Sequence, residues 1–157
     1  MSAIIEAPEL VYVATYSALL KPPLQAGGIF GTRMFFEVVS GEFAAASGGR
    51  GKLLTGGGDW LLVGPDGWGR LDVRAQLQMD DGAIVYAQYF GLIEMNDAVT
   101  RALQNGTATM FDQQYFRTSP RFETSDPRYA WLQQSVFVGQ GRIIAGLGVE
   151  YNLFQIK

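Results

Sequence analysis

The sequence predicts an all-β domain, an antiparallel β-barrel of about eight to ten strands with one short helix near residues 96–105. Three observations predict it. Glycine accounts for 20 of 157 residues, about 13% against a usual ~7%. Aromatic residues reach 13% while charged residues are only 17%, below the usual ~25%. Short β-branched and aromatic runs alternate with glycine pairs and Asp-Gly dipeptides, with no βαβ rhythm, linker or low-complexity tract. The whole chain, 1–157, reads as a single domain long enough to bury its own core.

The elements follow in order. Residues 9–20 (ELVYVATYSALL) and 29–39 (IFGTRMFFEVV) are rich in strand formers. Residues 50–55 and 59–64 flank Gly56-Gly57-Gly58, which reads as a flexible turn rather than a phosphate loop, because neither Lys-Ser nor Lys-Thr follows it. Residues 70–79 alternate: Leu71, Val73, Ala75, Leu77 and Met79 on one face, Arg70, Asp72, Arg74, Gln76 and Gln78 on the other. Asp66-Gly67 and Asp81-Gly82 are hairpin dipeptides on either side of this run. Residues 82–94 are apolar on both faces, which favours a barrel whose outside meets another subunit. In 96–106, Asn96 or Asp97 can cap a helix, Ala98, Val99, Ala102 and Leu103 form its apolar stripe, and Gly106 can end it. Residues 112–124, 132–142 and 145–156 complete the strands. Between the first two, Asp126 and Pro127 can start a helical turn.

Composition narrows the chemistry. There is no histidine and no cysteine, which removes thiol nucleophiles, Ser–His–Asp schemes, disulfides, zinc fingers and iron–sulfur sites. No metal site and no organic cofactor is expected, since Asp80-Asp81-Gly82 lacks calcium-loop spacing and no dinucleotide fingerprint is present. A net charge of −3 argues against nucleic acid as a partner. No apolar run approaches the ~18 residues of a membrane span, and MSAIIEAPELVY, with Glu6 and Glu9, lacks the basic start of a secretory signal. The expected location is the cytoplasm.

The candidate site rests on strand spacing. Asp72 and Arg74 lie two apart on one strand, and Tyr115 and Arg117 repeat that spacing on another, so each pair shares a face. Arg33 and Glu37 offer a third pair, read as a solvent face. Arginine keeps a neighbouring carboxylate ionised and can lower a phenol pKa. If those faces line the barrel, Arg74 and Arg117 would hold an oxyanion or carboxylate, Asp72 would orient or accept a proton, and Tyr115 would donate one. Asp59 and Glu123 would stand near the rim as substrate-binding groups, with Trp60 and Trp131 as apolar walls. The alternative register puts Leu71 and Val73 inside and leaves the Asp72–Arg74 pair on the surface. The segment 115–132 (YFRTSPRFETSDPRYAWL) mixes aromatics with arginines and carboxylates, as at the mouth of a pocket, and its Pro120 calls for a bend or an edge.

These motifs together resemble the domain of unknown function 3237 family. The likeness is carried by Gly57-Gly58-Asp59-Trp60, Pro65-Asp66-Gly67, Leu71-Asp72-Val73-Arg74, Asp80-Asp81-Gly82, Tyr115-Phe116-Arg117-Thr118, Phe122-Glu123-Thr124 and Asp126-Pro127-Arg128-Tyr129 with Trp131-Leu132. The resemblance implies a small, lipocalin-like antiparallel barrel and little about activity. It weights Asp59, Asp72, Arg74, Arg117 and Glu123 above Glu37 and Arg121. Two functional readings follow: a cofactor-independent acid–base enzyme of isomerase, cyclase or lyase type acting on a small, largely apolar or aromatic carbonyl compound, or a non-catalytic carrier of a small hydrophobic ligand. A purely structural oligomer is a third. The aromatic load and low charge fraction predict a homodimer or higher homo-oligomer.

Overall fold

The computed structural model describes residues 3–157. Its strands are β1 (Leu10–Leu20), β2 (Leu24–Gly27), β3 (Thr32–Ala45), β4 (Arg50–Leu53), β5 (Gly58–Val63), β6 (Trp68–Met79), β7 (Ile84–Glu94), β8 (Phe116–Glu123), β9 (Val136–Ile144) and β10 (Gly148–Ile156). A single helix, α1 (Asp97–Asn105), joins β7 to β8, and two 3-10 segments (Phe111–Gln113 and Pro127–Leu132) flank β8. Every ladder is antiparallel, and the sheet runs from β1 through β10, β9, β8, β7 and β6 to β4, β5 and β3 before β3 pairs again with β1. This closes an eight-position barrel. β4 and β5 share one position, both lying between β3 and β6, while β2 adds an outer strip to the first half of β3.

Strand parity decides what fills the barrel. Leu71, Val73, Ala75, Leu77 and Met79 of β6 are each at most 5% exposed and point inward. They meet Val85, Ala87, Tyr89 and Ile93 of β7, Phe116 and Phe122 of β8, Phe137 and Ile143 of β9, Tyr151 and Leu153 of β10, Ala14, Tyr16 and Ala18 of β1, and Phe36, Val38 and Phe43 of β3. Burying this many large apolar side chains, at ~1.5–3 kcal/mol each, is what closes the sheet. Room for the aromatics comes from glycine. A Cβ at Gly141 would lie 2.7 Å from the Phe116 ring, and one at Gly139 would collide with the Thr118 hydroxyl.

The predicted pattern of strands is present, with β2 as an addition and three strands beginning later than expected, at Thr32 rather than 29, Phe116 rather than 112 and Val136 rather than 132, the last two behind 3-10 segments. Gly67 and Gly82 take the positive φ (80° and 94°) their turns require. Asn96 caps α1, its side chain accepting from the Val99 N–H, and Gly106 ends the helix with φ 65°. Asp126 caps Pro127–Leu132 by accepting from the Arg128 N–H. Pro120 lies inside β8 and does not break it. The missing N–H falls where β8 has already left β9, whose ladder with it ends at Thr118–Gly139.

Both ends of the barrel are covered. At one end α1 inserts Val99 and Ala102. At the other Pro127–Leu132 inserts Leu132, and its Tyr129 hydroxyl donates to Asp81 in the β6–β7 turn. Arg128 pairs with Asp126 at 2.7 Å and with Asp81 at 3.2 Å, tying this cap to the turn. No helix is long and apolar enough to cross a membrane.

Candidate functional site in the barrel interior

The register corrects the expected orientation of the Asp72–Arg74 pair. With Leu71 and Val73 inside, Asp72 and Arg74 face outward, Arg74 exposed and Asp72 half-buried. The reason is burial: β6 offers five apolar side chains on one parity and only Trp68, its first residue, on the other, so only one register hides them. Tyr115 and Arg117 also face outward. Tyr115 precedes β8 and packs edge-on against Trp68, and the Arg117 guanidinium stands 5.2 Å from its ring centre. They line an outer groove of about 540 Å³ with Arg70, Phe90, Leu92 and Ser119. The four residues therefore share the outer face of β6–β8, and among the described residues Asp72 ion-pairs with none of the arginines. Trp60 is likewise on the outside, stacked on Phe35 at 4.6 Å. Glu123 is exposed at the end of β8, beside a cleft shared with Leu132 and Gln133. Trp131 packs against Phe137 in the end cap.

Asp59 is the predicted residue that turns to the inner side of the wall. It sits opposite Phe36 on β3 and Val73 on β6, both core residues. The β5–β6 ladder pairs Asp59 with Val73 and resumes only at Leu62–Arg70. In that gap the Asp59 carboxylate accepts the Asp72 N–H at 3.0 Å. Burial pushes the Asp59 carboxyl up to about 7, and the neighbouring Asp72 carboxylate adds to the rise, while the Asp72 N–H and Arg33 oppose it.

Three tyrosines, absent from the sequence-derived candidates, form a second interior group, two of them within the reach of the Asp59 charge. Tyr16 and Tyr151 are cross-strand neighbours with ring centres 4.9 Å apart, and Tyr89 meets both edge-on at 6.3 and 5.5 Å. Burial holds all three phenols well above their ordinary range, and the Asp59 charge raises Tyr89 and Tyr151 further. The Tyr16 hydroxyl lies near that of Thr118, yet both oxygens are buried without a completed hydrogen bond, as is one carboxylate oxygen of Asp72. A buried hydroxyl left unpaired costs ~1–3 kcal/mol, so the neighbouring Tyr16 and Thr118 hydroxyls call for an explanation beyond stability. Tyr16 and Tyr151 had a sequence signal. Ala14-x-Tyr16-x-Ala18 sets one large ring between small neighbours on one face, and Gly139-x-Gly141 leaves space two strands away.

The remaining interior space is small. A void of about 10 Å³ lies between Tyr16, Leu53, Ala75, Leu77, Ala87, Tyr89 and Phe122, about the size of one water. Ala75 also floors an outer cleft of about 280 Å³ between β4 and β5, lined by Thr55, Gly56, Gly57, Arg74, Gln76 and Tyr86. The backbones pack closely here: a Cβ at Gly57 would stand 2.5 Å from the Arg74 carbonyl oxygen.

Over residues 8–156 the chain matches the family described as protein of unknown function (DUF3237). It belongs to that family. A UPF0311 protein of Rhodopseudomonas palustris, RPA1785, is 35% identical over 132 residues, covering 83% of this chain and 86% of that one. The crystal structure of RPA1785 superimposes with a TM-score of 0.88, covering 98% of this DUF3237 chain and all of the other, at 31% identity. A β-barrel-like protein of Acinetobacter baumannii gives a TM-score of 0.81 at 30% identity, covering 99% of this chain and 100% of that one. An enzyme from Penicillium herquei shares the barrel at a TM-score of 0.72, with full coverage of both chains and 17% identity, a likeness of fold alone. The barrel fold of this chain is thus shared with a protein described as an enzyme.

Proposed function

We propose that this protein is a cofactor-independent acid–base catalyst, of isomerase, cyclase or lyase type, acting on a small, largely apolar or aromatic carbonyl compound. The observation that carries this reading is Asp59, a carboxyl brought to about 7 on the inner side of the wall beside buried phenols. A general acid or base works best with a pKa near the working pH. In its ionised form Asp59 takes a proton from the carbon next to the carbonyl. The C–H electron pair moves onto the carbonyl oxygen, and a Tyr89 or Tyr151 hydroxyl donates a hydrogen bond to the resulting enolate. Their raised pKa values keep these phenols neutral, so they donate without losing the proton. Protonated Asp59 then returns the proton at a second carbon of the conjugated system, which gives an isomer. In a cyclase the enolate first adds to an electrophilic carbon of the same molecule, and the proton quenches the carbanion so formed. In a lyase the enolate pair expels a β-substituent, which takes the proton as it leaves. A donor aimed at a developing oxyanion contributes ~2.7–4 kcal/mol, about 10²–10³ in rate. Asp72 acts as a positioning residue, through its N–H to Asp59, and Arg74 lines the outer cleft floored by Ala75. The interior void is only about 10 Å³, so this scheme requires the wall beside that cleft to open when substrate binds. Metal ions and organic cofactors have no part in this scheme. The second reading is a carrier of a small hydrophobic ligand. The lumen packed by Phe36, Phe43, Phe116, Phe122 and Phe137 bears on both readings alike, and the raised carboxyl of Asp59 is what favours the catalyst.

The test is proton exchange. The protein is incubated in D₂O with a panel of enolisable aryl ketones and α,β-unsaturated ketones, and deuterium incorporation is followed by NMR. The expected result is exchange that rises through pH 7 and falls at least a hundredfold in Asp59→Asn. No exchange above buffer anywhere in the panel, or full exchange in the Asn variant, would reject the proposal.

A further inference from the structure

The outer face of β6–β8 carries a feature that the interior site does not use. Phe90 is 60% exposed, and Leu92 and Tyr115 stand beside it above the groove of about 540 Å³. Arginines edge this apolar floor, with the Asp72 carboxylate among them; Asp72 pairs across β6–β7 with Phe90 itself. Arg70 and Arg117 line it, and Arg74 and Arg121 lie one row further along the same face, paired across Gln88. Only Arg70 has an acidic partner, Asp66 at 2.7 Å. Arg74, Arg117 and Arg121 have no ion pair among the described residues. In a chain of net charge −3 this is a locally basic, half-apolar surface.

The segment that precedes β1 has the opposite character. Residues 3–9 (AIIEAPE) are outside regular structure and exposed throughout, with Ile4 and Ile5 both 91% exposed. Glu6 follows the isoleucines directly, and its side chain has no ion pair among the described residues. An apolar pair followed by an acid complements an apolar floor edged with arginine.

We infer that residues 3–9 of one copy of this chain seat in the β6–β8 groove of a second copy, Ile4 and Ile5 on Phe90 and Leu92, with Glu6 against Arg117 or Arg121. Reach favours a second copy over the molecule's own groove. β7 lies four strands from β1 in the barrel order, and four spacings of ~4.8 Å make about 19 Å at the backbone and more over the side chains outside it. Seven extended residues span at most ~25 Å, so the arm would run taut across β10, β9 and β8 to touch its own Phe90. Exchange between two copies related by a twofold axis makes the contact twice and covers both exposed patches.

The chain has no cysteine, which makes cross-linking a clean test. Ile5→Cys and Leu92→Cys variants of the full chain are mixed and oxidised. The expected result is an intermolecular disulfide in the mixture, and none when Lys52→Cys replaces Leu92→Cys. By light scattering the wild type is expected to be an oligomer at micromolar concentration. Ile4→Ser/Ile5→Ser should raise its dissociation constant at least tenfold. Glu6→Arg should do the same, with recovery when combined with Arg117→Glu and Arg121→Glu. Four outcomes would overturn the inference: a wild-type monomer at 100 μM, unchanged mass in the serine variant, a disulfide formed only within one chain in the Ile5→Cys/Leu92→Cys double variant, or phosphatidylcholine vesicles captured through Ile4 and Ile5 with no change of mass.

Discussion

Replacing Asp59 by asparagine should make the protein more stable at neutral and alkaline pH while removing its proposed activity. Asparagine keeps an oxygen to accept the Asp72 N–H and removes the charge. The native carboxyl is raised from 3.8 to about 7, roughly three units, and each unit is worth ~1.36 kcal/mol. Between these two values the native state holds a proton that the unfolded state has released, so stability falls as pH rises from about 4 to 7 and is level above that. The whole shift amounts to about 4 kcal/mol; partial contact of Asp59 with water should leave about half, ~2 kcal/mol, or about 4–8 °C in Tm for a domain of this size. The carboxylates held low, Asp66 and Asp126 at about 2 and Asp81 below its ordinary range, lose their contribution only as pH falls through their native pKa values. They therefore leave the window from 4 to 7 to Asp59. Urea denaturation of wild type and Asp59→Asn at pH 5, 6, 7 and 8 measures the effect. The difference should favour asparagine and widen up to pH 7. A variant less stable than wild type at pH 8, or a gap that does not change with pH, would refute the reasoning about where this carboxyl sits.

Other substitutions probe the same framework. Tyr16→Phe removes a buried hydroxyl without a hydrogen-bond partner, and chemical denaturation should show no loss and a gain of up to ~1 kcal/mol; a clear loss would mean that the hydroxyl is satisfied. Gly139→Ala forces a methyl group against the Thr118 hydroxyl and should cost ~1–3 kcal/mol. Much of that should return in Gly139→Ala/Thr118→Ala, and a fully tolerated alanine would contradict the packing. Asn96→Ala deletes the α1 cap that accepts from Val99 and should lower stability by ~1 kcal/mol, readable as a shift of the urea midpoint.

Much of the fold was legible because its signals are local. Period-two alternation in 70–79, Asp-Gly turns, the Asn96 and Gly106 caps and Asp126-Pro127 each act within a few residues, and each is found in place. The face of β6 that lines the barrel is not a local property. Spacing said that Asp72 and Arg74 share a face, and they do. Which face is inside depends on five apolar partners and on what the other seven wall positions supply. The same limit hid the interior cluster. Tyr16, Tyr89 and Tyr151 sit on three strands far apart in sequence, and only closure of the barrel brings their rings together. Asp59 was legible as a residue of interest but not as an inward one, because the ladder gap that lets it reach the Asp72 N–H is a feature of two strands together.

The closure of the barrel through β1 also shapes how the chain reaches this state. From β5 to β10 each strand pairs with the next in sequence. β5–β6, β6–β7 and β9–β10 are hairpins that can form early with short loops to close, while β7–β8 and β8–β9 are joined through α1 and the 3-10 segments. β1 is different. Its ladder with β10 joins Leu10 to Ile156 and Leu19 to Gly148, contacts across nearly the whole chain, whose loop-closure entropy must be met before they give anything back. The β1–β10 seam should therefore form last. Substitutions there, such as Leu153→Ala, should mainly speed unfolding, whereas Val85→Ala in the β6–β7 hairpin should slow refolding.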